Sequence, residues 1–144
     1  MTNTFDPPTL NNIMIIDDAD IDSFMLQYAL HKKTNFCKNS VILPGGLSAL
    51  NYLKKHMGNE DKLPELIFLD ILMPVVDGYK FLEEFEAIRS KLNKKVNVVI
   101  LTSEKYNIQI GSLIKEGKIL THFQKPFHEN YLKEIASLLG NNKN

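Results

Sequence analysis

Five short runs rich in Ile, Val and Leu, at positions 13–16, 41–43, 66–69, 96–101 and 119–123, constrain this chain more than any other feature. Apolar residues follow one another in these runs with little polar alternation. A strand that reads this way is covered on both faces, as in a parallel sheet held between layers of helices. Longer amphipathic stretches separate the runs, so strands and helices alternate along the chain. That order predicts an α/β fold: a doubly wound (βα)5 three-layer sandwich with right-handed crossovers.

The helices show in their spacing. Ile21, Phe24, Met25, Tyr28 and Ala29 follow i, i+3, i+4, i+7, i+8 and predict a helix with an apolar face. Phe81, Leu82, Phe85, Ile88 and Leu92 form a second stripe, and Leu47, Leu50 and Leu53 a shorter one. A helix is expected over 104–116, with Ile110, Leu113 and Ile114 as its apolar side. The last carries Tyr131, Leu132, Ile135, Leu138 and Leu139 and is expected to end on Gly140 as a C-cap.

The 144 residues suit one domain, expected over 12–140, with a disordered lead over 1–11 and a tail over 141–144. Seventeen basic residues balance seventeen acidic ones, which argues against a nucleic-acid binder needing a phosphate-neutralising excess. No apolar run reaches the ~18 residues of a membrane span. The N-terminus lacks the basic start and apolar middle of a secretion signal. Cys37 stands alone, without a disulfide partner or metal-ligand spacing, so a cytoplasmic setting is expected.

In open parallel sheets, ligands bind beyond the carboxyl ends of the strands. The first run is followed by Asp17 and Asp18, the third by Asp70, the fourth by Thr102 and Ser103, and the fifth by Lys125 and Pro126. If the first strand is central and the third its neighbour, three carboxylates, a hydroxyl and an ammonium meet in one pocket. Each close carboxylate pair there costs up to about 4 kcal/mol at an effective dielectric near 20. A hard divalent cation removes that cost, and an open oxygen-ligand site suits Mg²⁺ with retained waters. A carboxylate beside Mg²⁺, with a Lys and a Thr nearby, has the parts for phosphoryl transfer. Asp70 is the expected nucleophile, with Lys125 on the phosphoryl oxygens and Thr102 as hydrogen-bond donor.

The motifs IMIIDD, LIFLDILMPVVDG, VVILTS and QKPF, in this order and spacing, resemble the receiver domain of two-component response regulators over about 12–139. The resemblance implies the flavodoxin-like fold with sheet order 2-1-3-4-5. It implies Asp18 as a direct metal ligand, Asp17 as an assisting one, Asp70 as phospho-acceptor and the Leu72 backbone carbonyl as a further ligand. Thr102 would be the switch hydroxyl, and the Lys125–Pro126 bond is expected to be cis. Receivers carry an aromatic switch residue three positions before the lysine; here His122 stands there and Phe123 follows, so either could serve. The positions two past Asp70 and Thr102, here Leu72 and Glu104, tune how long a receiver stays phosphorylated. An apolar Leu72 cannot orient water, so slow self-dephosphorylation is expected.

Plainer readings apply to the remaining residues. Asp20 and Asp22 suit a helix cap and first turn. Asp77 and Gly78 suit a turn into the next helix. Pro44, Gly45 and Gly46 lack the Gly-Lys-Ser/Thr ending of a phosphate loop. His31, His56 and His128 show no ligand spacing, and Cys37 reads as an inert thiol. The expected protein is a stand-alone receiver, not itself an enzyme. It would be phosphorylated by a histidine kinase or hybrid kinase, and act on a downstream protein or a histidine phosphotransfer protein as a monomer or weak homodimer. Two rivals are a non-phosphorylated receiver-like adaptor and a phosphatase of the haloacid dehalogenase type. The second wants an Asp two residues after the nucleophile, where Leu72 stands.

Overall fold

The computed structural model describes residues 9–141. Five parallel strands form one sheet: β1 (Leu10–Ile16), β2 (Cys37–Leu43), β3 (Leu66–Leu69), β4 (Asn97–Thr102) and β5 (Thr121–Gln124), in the order β2-β1-β3-β4-β5. The helices between and after them are α1 (Asp20–Tyr28), α2 (Gly46–Lys55), α3 (Gly78–Arg89), α4 (Ile108–Lys115) and α5 (Asn130–Asn141). This is the expected doubly wound α/β sandwich. Among the described residues, no helix is long and apolar enough to cross a membrane.

Alternation of side chains along each strand builds two cores from one sheet. Met14, Ile16, Ile67, Leu69, Val98 and Ile100 point to one face and meet Leu50 and Leu53 of α2 and Phe81, Leu82 and Phe85 of α3. Ile13, Ile15, Phe68, Val99 and Leu101 point to the other and meet Leu26 of α1 and Leu132 and Ile135 of α5. The registers Ile16↔Leu69, Leu69↔Ile100 and Ile100↔His122 bring the C-terminal ends of β1, β3, β4 and β5 to one edge.

Several boundaries differ from the sequence expectations. β1 begins at Leu10, so residues 10 and 11 of the expected lead belong to the sheet. The Leu10 N–H donates to Phe36 O at 2.9 Å and the Asn12 N–H donates to the Glu65 carboxylate, which ties this end down. Residues 1–8 of that lead and residues 142–144 of the tail lie outside the described residues. Gly140 does not cap α5, which runs on to Asn141. α4 starts at Ile108, four residues later than expected, because the Asn107 side chain accepts a hydrogen bond from the Ile110 N–H and caps it there.

The largest difference is on α1. Ile21, Phe24, Met25 and Tyr28 face solvent, and the buried residues of this helix are Ser23 and Leu26. Leu47 of α2 is exposed as well. The stripe on α3 is buried throughout, together with Leu92 just beyond it.

One glycine is required by packing at the edge that carries the acidic residues. Asp77 caps α3 by accepting from the Lys80 N–H at 2.9 Å, and Gly78 opens the helix against the chain just after β3. A Cβ at Gly78 would lie 2.6 Å from Asp70 O and 2.8 Å from Ile71 Cα. These are backbone atoms that cannot swing aside. Gly78→Ala is therefore expected to destabilise the fold by about 1–3 kcal/mol, read as a lower urea midpoint at unchanged slope.

Candidate functional site

The first half of the site is made by the chain leaving β1. Asp17 follows Ile16, and its backbone N–H donates to Leu43 O at 3.1 Å, so sheet hydrogen bonding continues one residue past the strand. Its side chain turns back to accept from the Ala19 N–H at 2.9 Å, while Asp18 points to solvent. Asp70 stands equivalently after β3, with its N–H on Ile16 O at 3.0 Å and its Oδ1 accepting from the Leu72 N–H at 3.2 Å. Asp17 and Asp70 are both buried. Carboxylate oxygens of Asp17, Asp18 and Asp70 lie within 4.8 Å of one another.

The second half comes from β4 and β5. The Lys125 N–H donates to Thr102 O at 2.8 Å, holding the lysine at the end of β5 beside the end of β4. Its Nζ reaches across the edge to Asp17 Oδ2 at 2.7 Å, Asp70 Oδ2 at 3.0 Å and Asp22 Oδ2 at 3.0 Å. The Lys125–Pro126 peptide bond is cis. Thr102 is fully buried, and its Oγ1 accepts from the Glu104 N–H at 3.4 Å.

The structure thus gathers Asp17, Asp18, Asp70 and Lys125 at one edge, with Thr102 one strand away. Leu72 lies just beyond, more than half exposed, in an open hollow it shares with Tyr79 and Glu104. Glu104 Oε2 is buried there without a hydrogen-bond partner among the described residues. Asp22 was assigned only a helix-turn role from the sequence. Its contact with Lys125 spans 103 residues, and local spacing gave no signal for it.

His122 and Phe123 point to opposite faces of β5. Phe123 sits in the core with α1 and α5 and stacks on Tyr131 with ring centroids 4.3 Å apart. His122 lies on the other face, its Nε2 3.4 Å from Glu104 O and its ring 6.2 Å from that of Tyr106. Of the two, His122 alone borders the loop that follows Thr102.

One ammonium cannot neutralise several carboxylates, and the electrostatics reflect that. Burial pushes the Asp17 carboxyl above the usual carboxylate range, and the Asp70 charge adds to the effect. Bonds from Lys125 and the Ala19 N–H offset this only in part. Burial alone would push the Lys125 ammonium down, but its bonds to Asp17, Asp22 and Asp70 outweigh burial and hold it above the ordinary lysine value. Two buried carboxylates and an exposed one, all within reach of one point, fit a hard divalent cation that keeps waters on its open side. Elsewhere, burial pushes the Cys37 thiol up to about 11, so it stays protonated.

Similarity to known proteins agrees with this geometry. The response regulator receiver domain model matches residues 13–137. The chain belongs to the response regulator receiver domain family. Among its relatives, a probable methanogenesis regulatory protein, FilR2, of Methanothrix harundinacea is 30% identical over 63% of this chain. The two-component response regulator ARR6 of Arabidopsis thaliana is 29% identical over 81% of it. The chain spans 57% and 62% of those proteins' own lengths. A two component response regulator from Cytophaga hutchinsonii shares the fold, with a TM-score of 0.79 at 22% identity over 92% of this chain and 99% of that one.

The raised Asp17 carboxyl has a signed consequence. Its folded-state pKa lies above the unfolded value, so folding favours its protonated form. The contribution is fully present below the unfolded carboxylate pKa and is lost as pH rises through the folded one. Asp17→Asn removes the titrating group. In EDTA, the variant's melting temperature is expected to gain on wild type as pH rises above about 4, the unfolded carboxylate value. Thermal melts of both proteins across that range check it, and parallel profiles would contradict it.

Proposed function

We propose that this receiver accepts a phosphoryl group on Asp70 from the phosphohistidine of a histidine kinase or hybrid kinase. The observation that carries the reading is the buried Asp70 carboxylate at the mouth of β3, bonded to the Lys125 ammonium and flanked by Asp17 and Asp18. In this reading, Asp17, Asp18 and Asp70, with the Leu72 carbonyl, hold Mg²⁺, which supplies neutralising charge to the phosphoryl oxygens.

An oxygen of Asp70 attacks phosphorus, and the bond from phosphorus to the donor's histidine nitrogen breaks. The electron pair of that bond leaves with the nitrogen, and an acyl phosphate forms on Asp70. Lys125 exchanges its bond to Asp70 for one to a phosphoryl oxygen, which keeps the ammonium paired throughout. Thr102 turns its hydroxyl to another phosphoryl oxygen. That movement draws on the loop from Ser103 to Asn107, whose backbone His122 touches through Glu104 O. The altered loop and the start of α4 then present a different surface to a downstream protein or a histidine phosphotransfer protein. The chain ends the transfer phosphorylated, so it is a phosphoprotein intermediate and not a turnover enzyme.

The adaptor reading leaves the buried Asp70–Lys125–Asp17 cluster without a task, although it is costly to fold. The phosphatase reading needs an acid two residues past Asp70, and Leu72 offers no proton. Leu72 itself offers no polar group to align a water behind the acyl phosphate, and the charge of Glu104, which shares its hollow, is repelled by the phosphoryl oxygens; both support a slow loss of the phosphoryl group.

Incubation with acetyl phosphate and Mg²⁺ is expected to add the mass of one phosphate to the intact protein. Asp70→Asn should stay folded and gain none, since an amide cannot attack phosphorus. A gain that persists in the variant would place the acceptor elsewhere, and repeated release of phosphate from an ester would favour the phosphatase.

A further inference from the structure

We infer, on the phosphotransfer reading, that Asp22 is a positioning residue: it anchors the Lys125 ammonium while the lysine's other two partners change their bonds. An ammonium carries three N–H donors and accepts nothing. Lys125 Nζ directs them at Asp17 Oδ2, 2.7 Å away, and at Asp22 Oδ2 and Asp70 Oδ2, each 3.0 Å away. Two of those partners have other tasks. An Asp70 oxygen attacks phosphorus. Asp17 serves the cation, and both of its oxygens are already engaged, Oδ2 by Lys125 and Oδ1 by the Ala19 N–H, so that task weakens its hold on the lysine. Lys125 thus loosens two bonds in one event, on a flexible four-carbon stem. A lysine set free at that moment samples many rotamers before it meets a phosphoryl oxygen. Asp22 has no second task, so its bond persists and keeps the ammonium over the site.

The fold holds Asp22 where this task needs it. The residue lies in the first turn of α1, and that turn is tied to Asp17 itself. The Ala19 N–H donates to Asp17 Oδ1 at 2.9 Å, and the N–H and hydroxyl of the buried Ser23 both donate to Ala19 O at 3.0 Å. The Asp22 side chain is 47% exposed, against 7% for Asp17 and 6% for Asp70, so Asp22 closes the solvent side of the network. An ion pair with a half-exposed partner adds little to stability. Placement of the ammonium is then what the contact contributes. Asp20 supplies an internal comparison. It carries the same charge in the same turn and is exposed, and among the described residues it makes no bond to Lys125.

Single-turnover phosphorylation by acetyl phosphate in saturating Mg²⁺, followed by intact mass, compares wild type, Asp22→Ala and Asp20→Ala. Asp22→Ala is expected to lower the limiting rate on the order of tenfold, because the ammonium is no longer held against the phosphoryl oxygens. Asp20→Ala should stay within about twofold of wild type, since an exposed charge that touches nothing in the site is screened. The second readout needs no phosphodonor. It is the Lys125 ammonium resonance in a nitrogen-edited NMR spectrum of isotope-labelled protein, assigned by its absence from Lys125→Arg. In EDTA, wild type and Asp22→Ala should both show it, since Asp17 and Asp70 still hold the lysine. In excess Mg²⁺ it should persist in wild type and vanish from Asp22→Ala. A signal lost from wild type in Mg²⁺, or kept in Asp22→Ala, overturns the inference. Equal rates for wild type and Asp22→Ala, or an equal slowing in Asp20→Ala, overturn it while phosphotransfer to Asp70 stands. A wild type that gains no phosphate overturns that reading, and the role of Asp22 falls with it.

Discussion

The Lys125 ammonium is the interaction on which the rest of the site depends. It holds the end of β5 to Asp17 after β1, to Asp70 after β3 and to Asp22 on α1 through bonds of 2.7–3.0 Å. Without a positive charge at that point, Asp17 and Asp70 would be two buried carboxylates facing each other. Removing one partner from a buried ionic cluster costs far more than the pair itself is worth, because the remaining charge stays buried without compensation. The same cluster sets three carboxylates, those of Asp17, Asp22 and Asp70, against one ammonium, while burial holds the Asp17 carboxyl above the usual range. A site that holds more negative charge than its own lysine can balance is prepared for a further cation.

The backbone around this cluster is built to hold it still. Sheet hydrogen bonds run past the strand ends into Asp17 and Asp70, and Thr102 O fixes the lysine's own backbone. Gly78 lets α3 start directly against the Asp70 carbonyl, where any side chain would force the acidic loop outward. The groups expected to move are few by comparison: the Thr102 hydroxyl, the Lys125 side chain and the loop running from Ser103 to the Asn107 cap.

Much of this was legible in the sequence, for a physical reason. A strand of a parallel sheet is buried on both faces, so β1, β3 and β4 read as unbroken apolar runs, and the first polar residue after each marks the functional edge. Asp17, Asp18, Asp70 and Thr102 were found that way, and Lys125 two residues past the run that forms β5. β2 was harder, because it lies at the sheet edge and its second and third residues, Lys38 and Asn39, are exposed polar ones. Periodicity finds the apolar side of a helix but does not say what that side faces, and on α1 most of the stripe faces solvent. Asp22 was missed because its partner is distant in sequence. Whether His122 or Phe123 borders the loop after Thr102 depends on strand register, which a run such as ILTHF does not reveal and the pairing of Ile100 with His122 does.

One balance governs the site: carboxylates that repel, a lysine that partly compensates them, and room for a divalent cation to finish the task. Melting temperatures of wild type and Lys125→Met, each in EDTA and in excess Mg²⁺, test it most directly. The variant should melt well below wild type in EDTA, and Mg²⁺ should raise both proteins, the variant by the larger amount, because the cation then supplies the only compensation. Melting temperatures unchanged by Mg²⁺ in both proteins would contradict the account.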